Sequence, residues 1–382
     1  MFVKKYKIYF VVFLLLQFNF SCAFFWKFSN NKNNNDDKLT TVNSNVDYYQ
    51  KITMIKNLMH DYNNVDEASI FGVININNGD SNWISEGNID LHTTYLRYGS
   101  INNMLLSYLL INKINVNKHI FYHGGFENYA GYHHGTDIIV KHLLTHTSGI
   151  PDYINFIDYE REIYNHNIYQ NINIGWKNNK SNFIPGEFFC WSNSNYELVA
   201  WLLTNYGEKS LNNVIKQHFG NIAPSLTCDD DYNTLKKIIF LFPNTTFYNE
   251  WKYNSYTISH AGNLIGNPID LVNAFKSILL DKQRILIMNK WNQQKKCVEN
   301  KQWLMTDTYG LGLAHYENFG KVTGPFIGHD SNLDAKSIII FHVPSNLIFF
   351  FHSTEIMDYD LFKFYLENLL EIWFNGTKWF SK

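Results

Sequence analysis

The stretch from Ala68 to Ile111 constrains this chain's fold more than any other. Ala68 to Ile76 is an apolar, β-branched run, and Trp83 to Glu86 follows the Asn78-Gly79-Asp80 turn, so two adjacent strands are expected. Tyr98 to Ile111 then carries Met104, Leu105, Tyr108, Leu109 and Ile111 at helical spacing, with Ser100 at the helix start. Strand, turn, strand, then a serine on the first turn of a helix is an order with few uses. The first turn of a helix carries backbone N–H groups without intrahelical partners, so a hydroxyl there sits beside free donors.

The rest of the chain frames this unit. Apolar residues Tyr49, Ile52, Ile55 and Met59 recur at helical spacing and predict an opening helix over Tyr48 to Tyr62. Ile138 to Thr145 reads as a helix stopped by Gly149, with Pro151 beyond it. Ser194 and Glu197 have the Ser-x-x-Glu spacing of a capping box, which predicts a helix running toward Gly207. Strands are expected at Ser337–Phe341 and Leu347–His352, and a terminal helix from Tyr359 to Phe374. With 382 residues the chain can bury a large core. Its formal net charge of −2 gives no reason to expect nucleic acid or an anionic membrane as a partner.

The first residues read as an export signal. Lys4, Lys5 and Lys7 precede an apolar run from Ile8 to Phe20, and Ser21-Cys22-Ala23 supplies a small-x-small cleavage site. Residues 1–23 are therefore expected to be a signal peptide, 24–47 an Asn-rich disordered tether, and 48–382 the folded domain. Membrane attachment would come only through an uncleaved anchor or a lipidated Cys22, although Asn19-Phe20-Ser21 fits a lipobox poorly. The remaining cysteines, Cys190, Cys228 and Cys297, have no metal-ligand spacing and suggest no disulfide scaffold.

Five further segments carry the chemistry. His142-Leu143-Leu144-Thr145-His146-Thr147-Ser148-Gly149-Ile150-Pro151-Asp152-Tyr153 follows Ser100 downstream. Trp191-Ser192-Asn193 precedes the helix at Ser194, and Ala261 to Gly266 leads into Pro268-Ile269-Asp270-Leu271. Tyr309-Gly310-Leu311-Gly312-Leu313 and Gly328-His329-Asp330-Ser331 come last. Together these resemble the motif set of the serine β-lactamase and penicillin-binding-protein family, in its class C β-lactamase, D-aminopeptidase and esterase branch. The resemblance covers roughly Val65 to the C-terminus and implies a strand at the Tyr-Gly-x-Gly run of Tyr309 to Leu313. It implies an α/β fold, an antiparallel sheet flanked by helices plus a mostly helical lobe, with Ser100 at the floor of the cleft between.

The resemblance also implies acyl transfer or hydrolysis through a serine acyl-enzyme, with no metal or organic cofactor. A serine hydroxyl is a weak nucleophile until a neighbour takes its proton. The family uses Ser-x-x-Lys, which puts an amine one turn from the serine, and a Tyr-x-Asn tyrosine beside it. Backbone N–H groups of the helix start and a neighbouring strand receive the developing oxyanion. Here Ser100 stands at the nucleophile position, Asn103 replaces the lysine and Trp191 replaces the tyrosine. Neither replacement accepts a proton near neutral pH.

The resemblance makes Asn193, His329 and Ser331 substrate-binding positions, with Ser331 standing where the family has glycine. His146 reads as structural. Three substitute groups come into question: His329 as a base beside Asp330, Cys190 as a nucleophile, and Lys113 as the amine. Asp330 points to the opposite strand face from His329, Cys190 fits a core position, and Lys113 lies too far along the helix.

The expectation is an exported, catalytically impaired relative, a pseudoenzyme binding a ligand or partner in the old cleft. The ligand would be a small molecule or cell-wall peptide, the partner a protein. An active hydrolase (D-alanyl peptidase, β-lactamase or esterase) using Ser100 and an unusual base is the alternative, and a structural surface protein a third reading. Restoring Asn103→Lys with Trp191→Tyr is expected to raise turnover.

Overall fold

The apolar runs near the two ends of the chain become neighbours in one sheet. The structure, a computed structural model, describes residues 47–63, 67–87, 89–123, 133–156, 172, 176, 183–204, 210–228, 262–290, 295–296, 306, 308–332, 335–354 and 357–376, with 154, 156, 295, 296 and 332 described by backbone alone. The chain divides into the units Met1–Ser44 and Asn45–Lys382, and everything described belongs to the second. The expected signal, Cys22 and most of the tether lie outside the described residues.

In chain order the elements are α1 (Tyr48–Tyr62), β1 (Ser69–Asn75), β2 (Ser81–Glu86), β3 (Leu96–Arg97), a 3-10 turn (Gly99–Ile101), α2 (Asn102–Ile111) and α3 (Val140–Leu144). Then come β4 (Phe188–Phe189), α4 (Asn193–Leu203), α5 (Leu211–Phe219), β5 (Ile265–Gly266), α6 (Pro268–Leu280) and α7 (Lys282–Met288). The last part holds β6 (Lys295–Lys296), β7 (Thr308–Tyr309), β8 (Ala314–Phe319), β9 (Val322–Asn332), β10 (Lys336–His342), β11 (Leu347–Ser353) and α8 (Tyr359–Asn375). Seven strands form one antiparallel sheet in the order β2-β1-β11-β10-β9-β8-β7.

Both faces of the sheet are covered, which is why β10 and β11 read as continuous apolar runs rather than alternating ones. Phe71, Val73, Ile338, Ile340, Phe349 and Phe351 pack with Ile55 and Met59 of α1 and with Phe362, Leu366 and Leu369 of α8. Their strand neighbours Ile70, Ile339, Ile348 and Phe350 point the other way, into a core shared with Met104, Leu105, Val199 and Leu203 of the helical lobe. Each fully buried side chain of this size contributes about 1.5–3 kcal/mol. A one-residue slip would exchange the two sets, so the register is firmly specified.

That register also sets the site. β8 accompanies β9 only as far as the Ala314↔Gly328 pair, whereas β10 follows it to Asn332. No described strand pairs with the other edge of residues 329–332, and Ser100 approaches there.

Two local expectations need correction. The capping box at Ser194 does not form: α4 starts two residues beyond Trp191, its cap residue is Ser192, and Ser194 sends its hydroxyl elsewhere. The Tyr-Gly-x-Gly run is strand only at Thr308–Tyr309, then turns, because Gly312 adopts φ +76°. Among the described residues no helix is long and apolar enough to cross a membrane.

Candidate functional site

Ser100 is held where the helical lobe meets the free edge of β9. Tyr98 fixes the turn before it, donating its N–H to Leu264 O and its hydroxyl to Gly266 O, each at 2.9 Å. The Ser100 N–H donates to the Ser331 hydroxyl at 3.2 Å. That bond brings two of the sequence-selected residues together through the donor expected to serve an oxyanion. Among the described residues no hydrogen bond reaches the Ser100 hydroxyl itself, although the side chain is only half buried.

One turn along, Asn103 is 1% exposed and committed to a different partner, its side chain hydrogen-bonding Tyr309. The direction of that contact follows from its neighbours. His329 Nδ1 lies 2.7 Å from the Asp330 carbonyl, which can only accept, so Nδ1 carries the proton. His329 Nε2 must then accept, and the Tyr309 hydroxyl donates to it at 2.9 Å. Having spent its proton, Tyr309 accepts from the Asn103 amide, which leaves Asn103 Oδ1 buried without a partner. Asn103, Tyr309, His329 and the Asp330 carbonyl therefore form one chain of bonds with a single direction.

Gly312 explains how Tyr309 reaches Asn103. A Cβ at Gly312 would lie 2.1 Å from Ser107 Oγ and 2.8 Å from the Asn103 carbonyl oxygen. The loop is thus laid directly on α2, and only glycine permits that approach at this φ. Beside it Tyr196 donates to Leu144 O and meets Ser107 Oγ, both at 2.9 Å.

Trp191 does not leave a hydroxyl-shaped gap. Its ring stacks on His146 with centroids 3.9 Å apart and planes at 22°, and it presents an edge to Tyr309 and His329. His146 Nδ1 accepts the Ser192 N–H at 3.2 Å, which puts its proton on Nε2. Among the described residues, the buried donors His146 Nε2 and Trp191 Nε1 find no partner, and neither does Ser192 Oγ. Leaving each such group unsatisfied costs about 1–3 kcal/mol.

Asn193 is tied down. Its Nδ2 donates to Asp152 at 2.9 Å. The next residues continue the strap: Ser194 donates to Pro151 O at 2.7 Å and accepts the Tyr153 N–H at 2.9 Å, and Ser148 donates to Asn195 at 2.5 Å. The run from Ser148 to Tyr153 thus anchors the start of α4.

Burial governs the electrostatics. It lowers His329 to about 4 and holds His146 well below its usual value, with the nearby His329 adding to the effect. Burial also raises Tyr309 well above the ordinary phenol range, helped by Tyr196. At neutral pH both imidazoles are uncharged and the phenol keeps its proton.

None of the three substitutes serves Ser100. Asp330 faces the opposite core and accepts from Tyr316, as strand alternation requires. Cys190 is disulfide-bonded, so its sulfur is no nucleophile. Cys228 forms no disulfide, and its sulfur accepts from Asn102 Nδ2 at 3.8 Å. Lys113 caps the lobe by donating to Leu203 O at 3.3 Å.

Sequence reasoning quoted Tyr309 without giving it a role, and it passed over Tyr196, Ser337 and His352. Ser337 and His352 hydrogen-bond at 2.7 Å on the row of the sheet that contains Ser331. Two serines and a histidine at alternate positions on buried strands were the available signal.

No family model and no curated protein matches this sequence. Solved structures do. The D-amino acid amidase of Ochrobactrum anthropi SV3 superposes with a TM-score of 0.66 at 14% identity, over 83% of this chain and 97% of that one. A D-stereospecific amidohydrolase from Streptomyces sp. gives 0.62 at 16% identity, over 87% and 100%. A β-lactamase/D-alanine carboxypeptidase from Pseudomonas syringae gives 0.62 at 11% identity, over 85% and 98%.

Proposed function

We propose that this chain, which has the β-lactamase/transpeptidase-like fold, is an exported and catalytically impaired relative of serine acyl hydrolases that binds a ligand in the remaining cleft. One observation carries the reading. The residue one turn from Ser100 is an amide locked to Tyr309, and no hydrogen bond from a described residue reaches the Ser100 hydroxyl. Losing a general base typically lowers a rate by about 10²–10⁴. Trp191, in the tyrosine position, offers only an N–H.

Binding has its own support. Trp191 Nε1, His146 Nε2, Asn103 Oδ1 and Ser192 Oγ are buried polar atoms without partners in one cluster. Buried polar groups in native proteins are normally satisfied, and a ligand or water supplies what the protein does not. The similar structures are named as a D-amino acid amidase, a D-stereospecific amidohydrolase and a β-lactamase/D-alanine carboxypeptidase, so a small D-aminoacyl compound or D-alanyl peptide is the ligand class proposed. The signal-like first residues support export.

The test is intact mass of the full chain after incubation with a fluorophosphonate and, separately, with a penicillin, beside Ser100→Ala. No adduct is expected on either protein. An adduct on the wild type that vanishes in Ser100→Ala would establish a reactive serine and overturn the impaired reading.

A further inference from the structure

The Ser100 N–H lies at the start of a helix, where unpaired amide donors ordinarily face water or an anion. Here it faces a hydroxyl of its own chain, Ser331 Oγ at 3.2 Å. Ser331 is 1% exposed, and the bond itself is part-buried. We propose that the Ser331 hydroxyl is the resident occupant of the anion seat at Ser100, and that an oxyanion formed on Ser100 can use this N–H only by displacing it.

Three observations carry the assignment. An N–H that stabilises an oxyanion must lie about 2.7–3.1 Å from it, so the Ser331 oxygen fills the position a reacting oxygen would need. The strand carries the hydroxyl to that point through its register, since β9 pairs Ser331 with Ser337 of β10 on the face that looks toward the helical lobe. Ser337 does not compete for the N–H, because it is hydrogen-bonded to His352 at 2.7 Å. The inference rests on the reading of Ser100 as the nucleophile position, and it adds a second, independent obstacle to the missing base.

Phenylboronic acid tests it, because boron capture needs the anion seat more than a catalytic base. The serine oxygen forms a B–O bond using its lone pair, the hydroxyl proton leaves to solvent, and boron becomes a tetrahedral anion. Affinity is measured by calorimetry on the full chain for wild type, Ser331→Gly and Ser331→Ala, with folding checked by circular dichroism. Both variants are expected to bind at least about tenfold more tightly than wild type, the scale of one hydrogen bond to a charged group. The gain should vanish when Ser100→Ala is added. Equal affinity in all three proteins, including no measurable binding in any, overturns the proposal. The function proposed above fails on wild-type labelling, whereas this inference fails on the variant-to-wild-type ratio, so each can fall alone.

Discussion

At the scale of single residues, the side chains around Ser100 are held in fixed hydrogen bonds. Asn103 donates to Tyr309, Asn193 donates to Asp152, and Ser331 accepts from Ser100. The restoration expected from sequence, Asn103→Lys with Trp191→Tyr, supplies a base but leaves the Ser100 N–H engaged. Adding Ser331→Gly should raise nitrocefin or ester turnover over the double variant by about 10²-fold, the usual worth of one oxyanion donor. Equal rates for double and triple variants would count against the Ser331 account. The meeting of Ser100 and Ser331 was legible, because both stand at motif positions. The commitment of Asn193 to Asp152 was not, since sequence shows a residue type but not which of its bonds is already used.

At the scale of elements, one loop positions Tyr309. The segment after Tyr309 lies on α2, and Gly312 is the point of contact. Gly312→Ala would force a methyl against Ser107 at a φ of +76°, so a loss of roughly 2 kcal/mol or more is expected in urea unfolding. A stability change within about 0.5 kcal/mol would show that the loop is not pinned there. The strands and the first and last helices matched their apolar periodicity almost to the residue: α1 spans Tyr48–Tyr62 as expected, and α8 runs one residue further. The start of α4 was misread for a physical reason. Ser194 has capping-box spacing, yet Pro151 and Tyr153 offer its hydroxyl tertiary partners that local spacing cannot reveal.

At the scale of the molecule, the buried histidines set the response to acid. Burial depresses His329 and His142 to about 4 and His352 to about 3, against an ordinary value of 6.5. These groups are neutral when folded, whereas the unfolded chain takes up their protons below about pH 6.5. Their contribution is therefore full above that pH and is lost progressively as pH falls toward 4. The slope is up to about 1.4 kcal/mol per pH unit for each such histidine. Calorimetric Tm should fall continuously from pH 7 to 4.5, and less steeply in His352→Gln. A flat Tm over that range would mean that these imidazoles are not held neutral.

The one-way chain from Asn103 through Tyr309 and His329 to the Asp330 carbonyl joins the helical lobe to the sheet. These side chains serve as a rivet between the two. A mutation that gave the site back a base would first have to pull that rivet out. Replacing Asn103 therefore takes away a partner of the buried Tyr309 hydroxyl, and the sheet and the helical lobe lose one of the ties between them.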